Sequence, residues 1–540
     1  MKDGKQMNHK RIVLIALLTV FVAVAAAAQQ STLFVTAERC IACHNGLITP
    51  KGEDVSIGSD WRSSMMAHSA RDPYWQAGIR RETLVHPTAK AAIEHECSAC
   101  HMPMMRYMAK SAGEKGEVFT HLPVFRRSTE EDMLAADGVS CSMCHQIQKD
   151  KLGEKESFTA GFVVNTQTLL GQRKIFGPFE VDEGRQALMQ SSSQFLPEKT
   201  VHIQSSEFCA SCHTLYTHAL SEKGEVVGEF PEQVPYLEWK HSSYANSESC
   251  QSCHMPEVEG KMHVSGVVGK KREQVSRHVF RGGNFFLPRI LNRHRDELGV
   301  DAPPQELDRT IRRTTEHLQS KAATVAIKIV EIMNGNLRAE VSIQNLAGHK
   351  LPSAYPSRRV WIHFTVLDSD DSLIFESGRM EADGSISGND NDADRDRFEP
   401  HYTEIDSPDK VQIYEPILAG PNNDVTTVLL TASQYAKDNR LLPEGFDKAT
   451  AEEDIAVHGA AESDKDFRGG GDRVTYVVPL GGSKGPFKVR AELWYQPISY
   501  RWAHNLEQEQ AEEIGRFVSY YNDFSSSSGL MLTQAQTIAK

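Results

Sequence analysis

Five copies of Cys-x-x-Cys-His take up every cysteine in this 540-residue chain. They are Cys40-Ile-Ala-Cys43-His44, Cys97-Ser-Ala-Cys100-His101, Cys141-Ser-Met-Cys144-His145, Cys209-Ala-Ser-Cys212-His213 and Cys250-Gln-Ser-Cys253-His254. Each reads as a c-type haem attachment site. The two thiols form thioethers to the porphyrin, and the adjacent imidazole becomes the proximal ligand of the iron. Rival uses of the pair leave something over. Zinc sites do not need a His after every second Cys, a redox Cys-x-x-Cys needs one copy, and a disulfide framework leaves five histidines unexplained.

The motifs start at 40, 97, 141, 209 and 250, and the 286 residues after His254 hold no cysteine. That asymmetry predicts a haem-bearing front, residues 29–300, and a haem-free back, 321–540. The gaps of 57, 44, 68 and 41 residues are too irregular for a solenoid. A haem is a large apolar disc that replaces side-chain core, so the front is expected to be short helices and loops, with 61–81 and 83–101 as helices. Met102, Met104, Met105, Met143 and Met255 cluster at the motifs as adaptable gap-fillers.

A linker helix is expected over 301–320, capped at Asp301 and Pro303, with Leu307, Ile311, Thr314 and Leu318 on one face. Beyond it the apolar period falls to two. Val325, Ile327 and Ile329 alternate, as do Leu337, Ala339, Val341 and Ile343, with the hairpin signal Asn334-Gly335 between them. Val360, Ile362, Phe364 and Val366 repeat the pattern, and so do Val489, Ala491 and Leu493. The fold class read from this is α+β: a mainly α and loop haem region followed by an antiparallel β-sandwich-like domain, with a late helix over 507–521 packed on it.

The first 28 residues read as a secretory leader, with Lys2, Lys5, Lys10 and Arg11 before an apolar run and Ala25 to Ala28 as the cleavage region. Left uncut, the 17-residue stretch 12–28 would reach the short limit of a membrane span, the one route to membrane association. The formal charge is −13, and about −16 without the leader. That excludes nucleic acid as a natural partner and favours a basic or neutral redox protein.

With five histidines committed as proximal ligands, 17 of the 22 remain. A low-spin electron-transfer haem takes a second axial ligand. The candidates by position are His68, His86, His121, His202, His278 and His349, with His218, His241 and His263 behind them. The run Asp390-Asn-Asp392-Ala-Asp394 is dense enough in carboxylates to suggest Ca²⁺, although Arg395 stands where an EF-hand needs glycine.

The front resembles multihaem c-type cytochromes related to the tetrahaem cytochrome that accepts electrons from hydroxylamine oxidoreductase. The resemblance rests on Trp61 with the Ser and His that follow, Cys97 to Pro103, Asp137-Gly-Val-Ser-Cys141, and Glu238-Trp239 ahead of Cys250 to Pro256. The back, with Ala347-Gly-His-Lys-Leu-Pro-Ser-Ala-Tyr-Pro-Ser-Arg-Arg359, looks like the β domain attached to haem regions of exported cytochromes. The resemblance implies five covalent haems c with paired histidine ligands, attachment outside the cytoplasm and a periplasmic or cell-surface setting. It also implies partners such as membrane quinol dehydrogenases or other cytochromes; it leaves the oligomeric state open. Five motifs rather than four is a departure from that family.

The function this points to is an electron carrier passing single electrons between closely spaced haems, and two others are compatible with the motifs. An oxidoreductase acting on a small nitrogen or sulfur compound would need one iron with an open position. The ammonia-forming nitrite reductases use a motif ending in Lys there, and all five here end in His. Alternatively the β domain is a docking module, for which Arg358, Arg359 and Trp361 supply a cationic and aromatic group.

Overall fold

Two thiols three residues apart share one side of a helical turn, and each motif forms such a turn. Cys97 to His101 closes the helix Lys90–His101, Cys209 to His213 closes Ser206–His213, and Cys250–His254 is a helix of its own. The computed structural model describes residues 32–540, so the expected leader at 1–28 lies outside the described residues. No helix among the described residues is long and apolar enough to cross a membrane.

The front is built of short helices, as expected, but with different breaks. One segment reads Ile57–Arg62, then a turn, then Pro73–Val85 and Lys90–His101. Asp72 starts the second helix by accepting hydrogen bonds from the backbone of Tyr74 and Trp75. Pro87 ends it, because the residue before a proline is pushed out of the helical region. The front also contains strands that the sequence reading did not anticipate. Arg173–Gly177 pairs in parallel with Phe195–Lys199, and Leu215–Leu220 forms a hairpin with Val226–Gln233.

The helix Pro304–Lys321 bridges the halves, burying Leu307, Thr314 and Leu318, with Ile311 half-buried. Asp301 does not cap it; its carboxylate pairs with Arg71 and Arg127 instead. Thr310 and Arg313 face the front, bonding Ser63 and Asp60 at 2.8 Å each.

Behind this helix two sheets face one another. One runs Ile413–Tyr414, Arg359–Leu367, Phe487–Gln496, Leu530–Ala539, with Leu373–Ser377 added at Arg359–Leu367. The other runs Ala323–Met333, Asn336–Asn345, Gly471–Pro479, Glu404–Ile405. Asn334 and Gly335 turn the first hairpin with φ of 53° and 79°, the left-handed pair a type I′ turn requires. Of the alternating residues named above, Val360, Ile362, Phe364, Val366, Leu337, Ala339, Val341, Ile343, Val489, Ala491 and Leu493 are all buried. The run at Val325 departs from this: the register shifts between Ile327 and Ile329, and Ile329 is turned out to solvent. Phe364 of one sheet stacks on Tyr476 of the other with ring centres 3.9 Å apart. Pairing is antiparallel except for Glu404–Ile405, which lies parallel to Gly471–Pro479.

The late helix is Glu512–Phe524, and it packs against the front helix Pro73–Val85 rather than only on the sandwich. Phe517 meets Tyr74 at 4.9 Å between ring centres, and Glu513 pairs with Arg80 at 2.8 Å.

Candidate haem centres

The ten thiols are free, none joined in a disulfide. Cys40 lies beside Cys141, and Cys209 beside Cys250. The first motif therefore lies against the third and the fourth against the fifth.

Whether the histidines suit a haem iron is decided by their ring nitrogens. A metal-bound imidazole normally donates its other N–H to a carbonyl or carboxylate, which fixes tautomer and orientation. Four of the five motif histidines do this. Nδ1 donates to Val264 O from His44, to Ser69 O from His101, to Phe176 O from His145 and to Arg281 O from His254, at 2.5 to 2.9 Å. Each Nε2 is thereby left bare and aimed. His213 differs: it lies exposed at the end of its helix, near the Arg358 guanidinium. Burial lowers the affinity of His44, His101, His145 and His254 for a second proton, to about 4 for His101 and His254, so these rings are neutral at pH 7, the form a metal requires.

The spacing of ring pairs is a second test. An imidazole Nε2 lies about 1.1 Å from its ring centre, so two rings bonded from opposite sides to one metal at about 2 Å have centres about 6.3 Å apart. His145 and His278 stand 6.3 Å apart with planes 16° from parallel. His254 and His349 stand 6.3 Å apart with planes 10° from parallel. Nδ1 of His349 donates to Lys350 O at 2.9 Å, and that of His278 to Ser276 O at 3.3 Å. These pairs leave room for one iron each.

The other candidates divide. His68 is 2 % exposed and neither ring nitrogen has a partner, an arrangement a folded core tolerates poorly unless some group outside the polypeptide fills it. Burial, reinforced by Arg71 and Arg295, pushes its pKa down to about 3. His121 has Nδ1 on the carboxylate of Asp132 at 2.8 Å, leaving Nε2 bare. That bond, with Ser128 and Thr129, holds Asp132 well below the usual carboxylate range. His86 places Nε2 on the Thr431 hydroxyl at 3.2 Å and leaves Nδ1 buried without a partner. His202 departs from expectation: Thr200 Oγ1 meets Nδ1 at 2.6 Å and Ile147 O accepts from Nε2 at 2.8 Å, so neither nitrogen is free. Its position seven residues before Cys209 gave no sign that Thr200 and Ile147 would occupy it.

One histidine was missed. His317, on the bridging helix, brings its ring to 6.5 Å from His254 at 61°, with Nδ1 buried and unpartnered. The available signal was its place seven residues after Thr310 and four after Arg313, on the face the helix turns to the front.

Two further groups are not ion sites. In the run 390–394, both oxygens of Asp392 take Arg359 at 2.8 and 2.9 Å and Asp390 pairs with Arg397, which leaves Asp394 as the one carboxylate of the three without a cation among the described residues, so the Ca²⁺ reading has no support here. His401, Asp464 and Asp472 converge in the sandwich with ligand-like spacing. There Gln412 and Asn439 both donate to Nδ1 of His401, at 2.9 and 3.1 Å. Their own carbonyl oxygens are held by the backbone N–H of Tyr402 and Glu415, so neither amide can flip. The proton must then sit on Nε2, which donates to Asp464 at 3.0 Å and has no lone pair for a metal. Arg359 and Trp361 are buried among the strands and present no docking surface.

The fold has a counterpart among solved structures. The chain is similar to a penta-haem cytochrome c552 from Thermochromatium tepidum, with a TM-score of 0.53 and 15 % identity over 94 % of this chain and 100 % of that one. The match takes in both halves of this chain, so the two share one overall fold. No protein-family model matches the chain, and no curated protein does.

Proposed function

We propose that this chain is an exported penta-haem c-type cytochrome that passes single electrons through closely spaced low-spin haems in a respiratory chain. The observation that carries the reading is the 6.3 Å spacing of His145 with His278 and of His254 with His349, near-parallel rings with both Nε2 atoms free. Bound haem supplies an iron that cycles between ferric and ferrous states; the chain's own residues attach, aim and insulate it.

In this reading Cys40, Cys43, Cys97, Cys100, Cys141, Cys144, Cys209, Cys212, Cys250 and Cys253 carry the thioethers. His44, His101, His145, His213 and His254 are proximal ligands. His278 and His349 complete the third and fifth motifs, and His68 and His121 serve two of the others. With both axial positions filled by imidazole, an iron exchanges electrons without binding substrate, which is carrier rather than enzyme chemistry. The acidic charge of −13 suits a basic or neutral redox partner. The periplasm is the compartment consistent with haem attachment and with a leader at 1–28.

Intact mass and a pyridine haemochrome count on exported protein should give five covalent haems, and the oxidised protein a low-spin EPR spectrum. A mass without tetrapyrrole adducts overturns the reading. A dominant high-spin ferric signal, with nitrite or CO binding on reduction, replaces it with the oxidoreductase.

A further inference from the structure

Both imidazoles that stand opposite a motif histidine have, as their immediate neighbour in sequence, a cation locked to a buried carboxylate. His349 is followed by Lys350, wholly buried, whose Nζ reaches Asp438 at 2.6 Å and Ala456 O at 3.0 Å. The backbone N–H of the same lysine donates to Glu238 at 3.1 Å, and its carbonyl is the group that accepts from Nδ1 of His349. Arg440 closes the lock, pairing with Asp438 at 2.7 Å and Glu238 at 2.9 Å. Glu238 belongs to the helix Pro235–Lys240 of the haem-bearing front, and Trp239 beside it bonds Glu248 O just ahead of the fifth motif. His278 is preceded by Arg277, which grips Asp60 at 3.1 and 3.3 Å; Asp60 is buried and is held from its other side by Arg313 at 2.8 Å.

We infer that Lys350–Asp438 and Arg277–Asp60 are positioning pairs that hold the distal imidazoles on their irons. The argument is geometric. A side chain on a loop is aimed only as well as its backbone is fixed, and at both sites a buried ion pair fixes that backbone one residue away. At the fifth motif the Lys350 N–H and Arg440, the cations of that lock, also reach across to Glu238 in the front half, so the junction with the β domain, rather than the motif itself, sets the ligation of that iron. The inference rests on the ligand reading above, and the two can fail separately.

The test uses the intact holoprotein and its EPR spectrum. His278→Ala and His349→Ala identify which low-spin signal belongs to each distal ligand; if neither alters the spectrum, the ligand reading itself is wrong. Given that assignment, Asp60→Asn should alter the His278 signal and Asp438→Asn the His349 signal, each affecting one haem out of five. Where His317 replaces His349, the planes cross at 61° instead of 10°, and the ordinary rhombic signal should give way to one with a larger gmax. His317→Ala combined with Asp438→Asn should then give a high-spin signal. Lys350→Arg, which keeps the charge, supplies a milder variant if Asp438→Asn does not accumulate. Asp392→Asn, breaking the buried pair with Arg359, is the control for simple destabilisation. Spectra of Asp60→Asn and Asp438→Asn as unchanged as that of Asp392→Asn would overturn the proposal.

Discussion

Histidine does three different jobs in this chain, separable by what its two ring nitrogens touch. At four motifs Nδ1 is held by a carbonyl and Nε2 is bare. At His202 both nitrogens are engaged and the ring ties backbone together. His363, on the sandwich, sits between two carboxylates, with Nδ1 2.9 Å from Glu492 and Nε2 3.0 Å from Glu376. Burial there works to lower its pKa, but the bonds to Glu492 and Glu376 outweigh it and the net shift is upward. A pKa raised on folding means the charged ring stabilises the fold fully below its unfolded value of about 6.5 and progressively less as pH rises through the folded value. The melting-temperature gap between the native protein and His363→Gln should therefore narrow as pH increases through that window. A gap constant from pH 6 to 9 would contradict it.

At the scale of elements, the helix Pro73–Val85 joins several parts of the fold. Trp75 stacks on His101 with ring centres 4.3 Å apart, Tyr74 and Arg80 meet the late helix, Arg81 bonds Thr427 at 3.0 Å, and Glu82 accepts from the backbone of Leu429 at 2.8 Å and Leu430 at 3.2 Å. Its start is specified by Asp72, whose side chain satisfies two backbone donors that have no partner within the helix. Asp72→Ala should cost about 1 kcal/mol, read as a lower urea midpoint at unchanged slope. Asp72→Asn should recover most of it, since an amide oxygen caps as well. The Asn334-Gly335 hairpin was legible in advance because two adjacent residues determine it. The helix breaks at Asp72 and Pro87 were legible only in part. Both residues are ordinary start and stop signals, but the apolar pattern runs across them.

At the scale of the whole molecule, the two halves are tied together by buried polar contacts. Glu238 with Arg440, Tyr435 with Pro231 O at 2.6 Å, and Arg516 with Gln76 at 2.6 Å all join front to back across buried or half-buried surface. Breaking one side of a fully buried pair such as Glu238–Arg440 generally costs about 3–5 kcal/mol. A chain ended after Lys321 loses all of these together with His349. It should not yield a soluble protein with five low-spin haems; size-exclusion chromatography and EPR on the exported fragment check this. A monodisperse, wholly low-spin fragment would mean that the front folds and ligates its irons alone.

The five motifs, the division into a motif-bearing front and a β-rich back, and most strand faces follow from the sequence alone, because each depends on spacing within a few residues; the bulge after Ile327 that turns Ile329 outward does not. What sits opposite each motif histidine does not. His349 lies 95 residues beyond His254, His278 lies 133 beyond His145, and the nitrogen that removes His202 is engaged by Ile147, 55 residues earlier. Such pairings are settled by which loops the buried charges bring together. Asp438, Glu238 and Asp60 read as ordinary acidic residues until folding takes them out of water. There an unpaired charge is too costly to keep, and only the arrangement that pairs them survives.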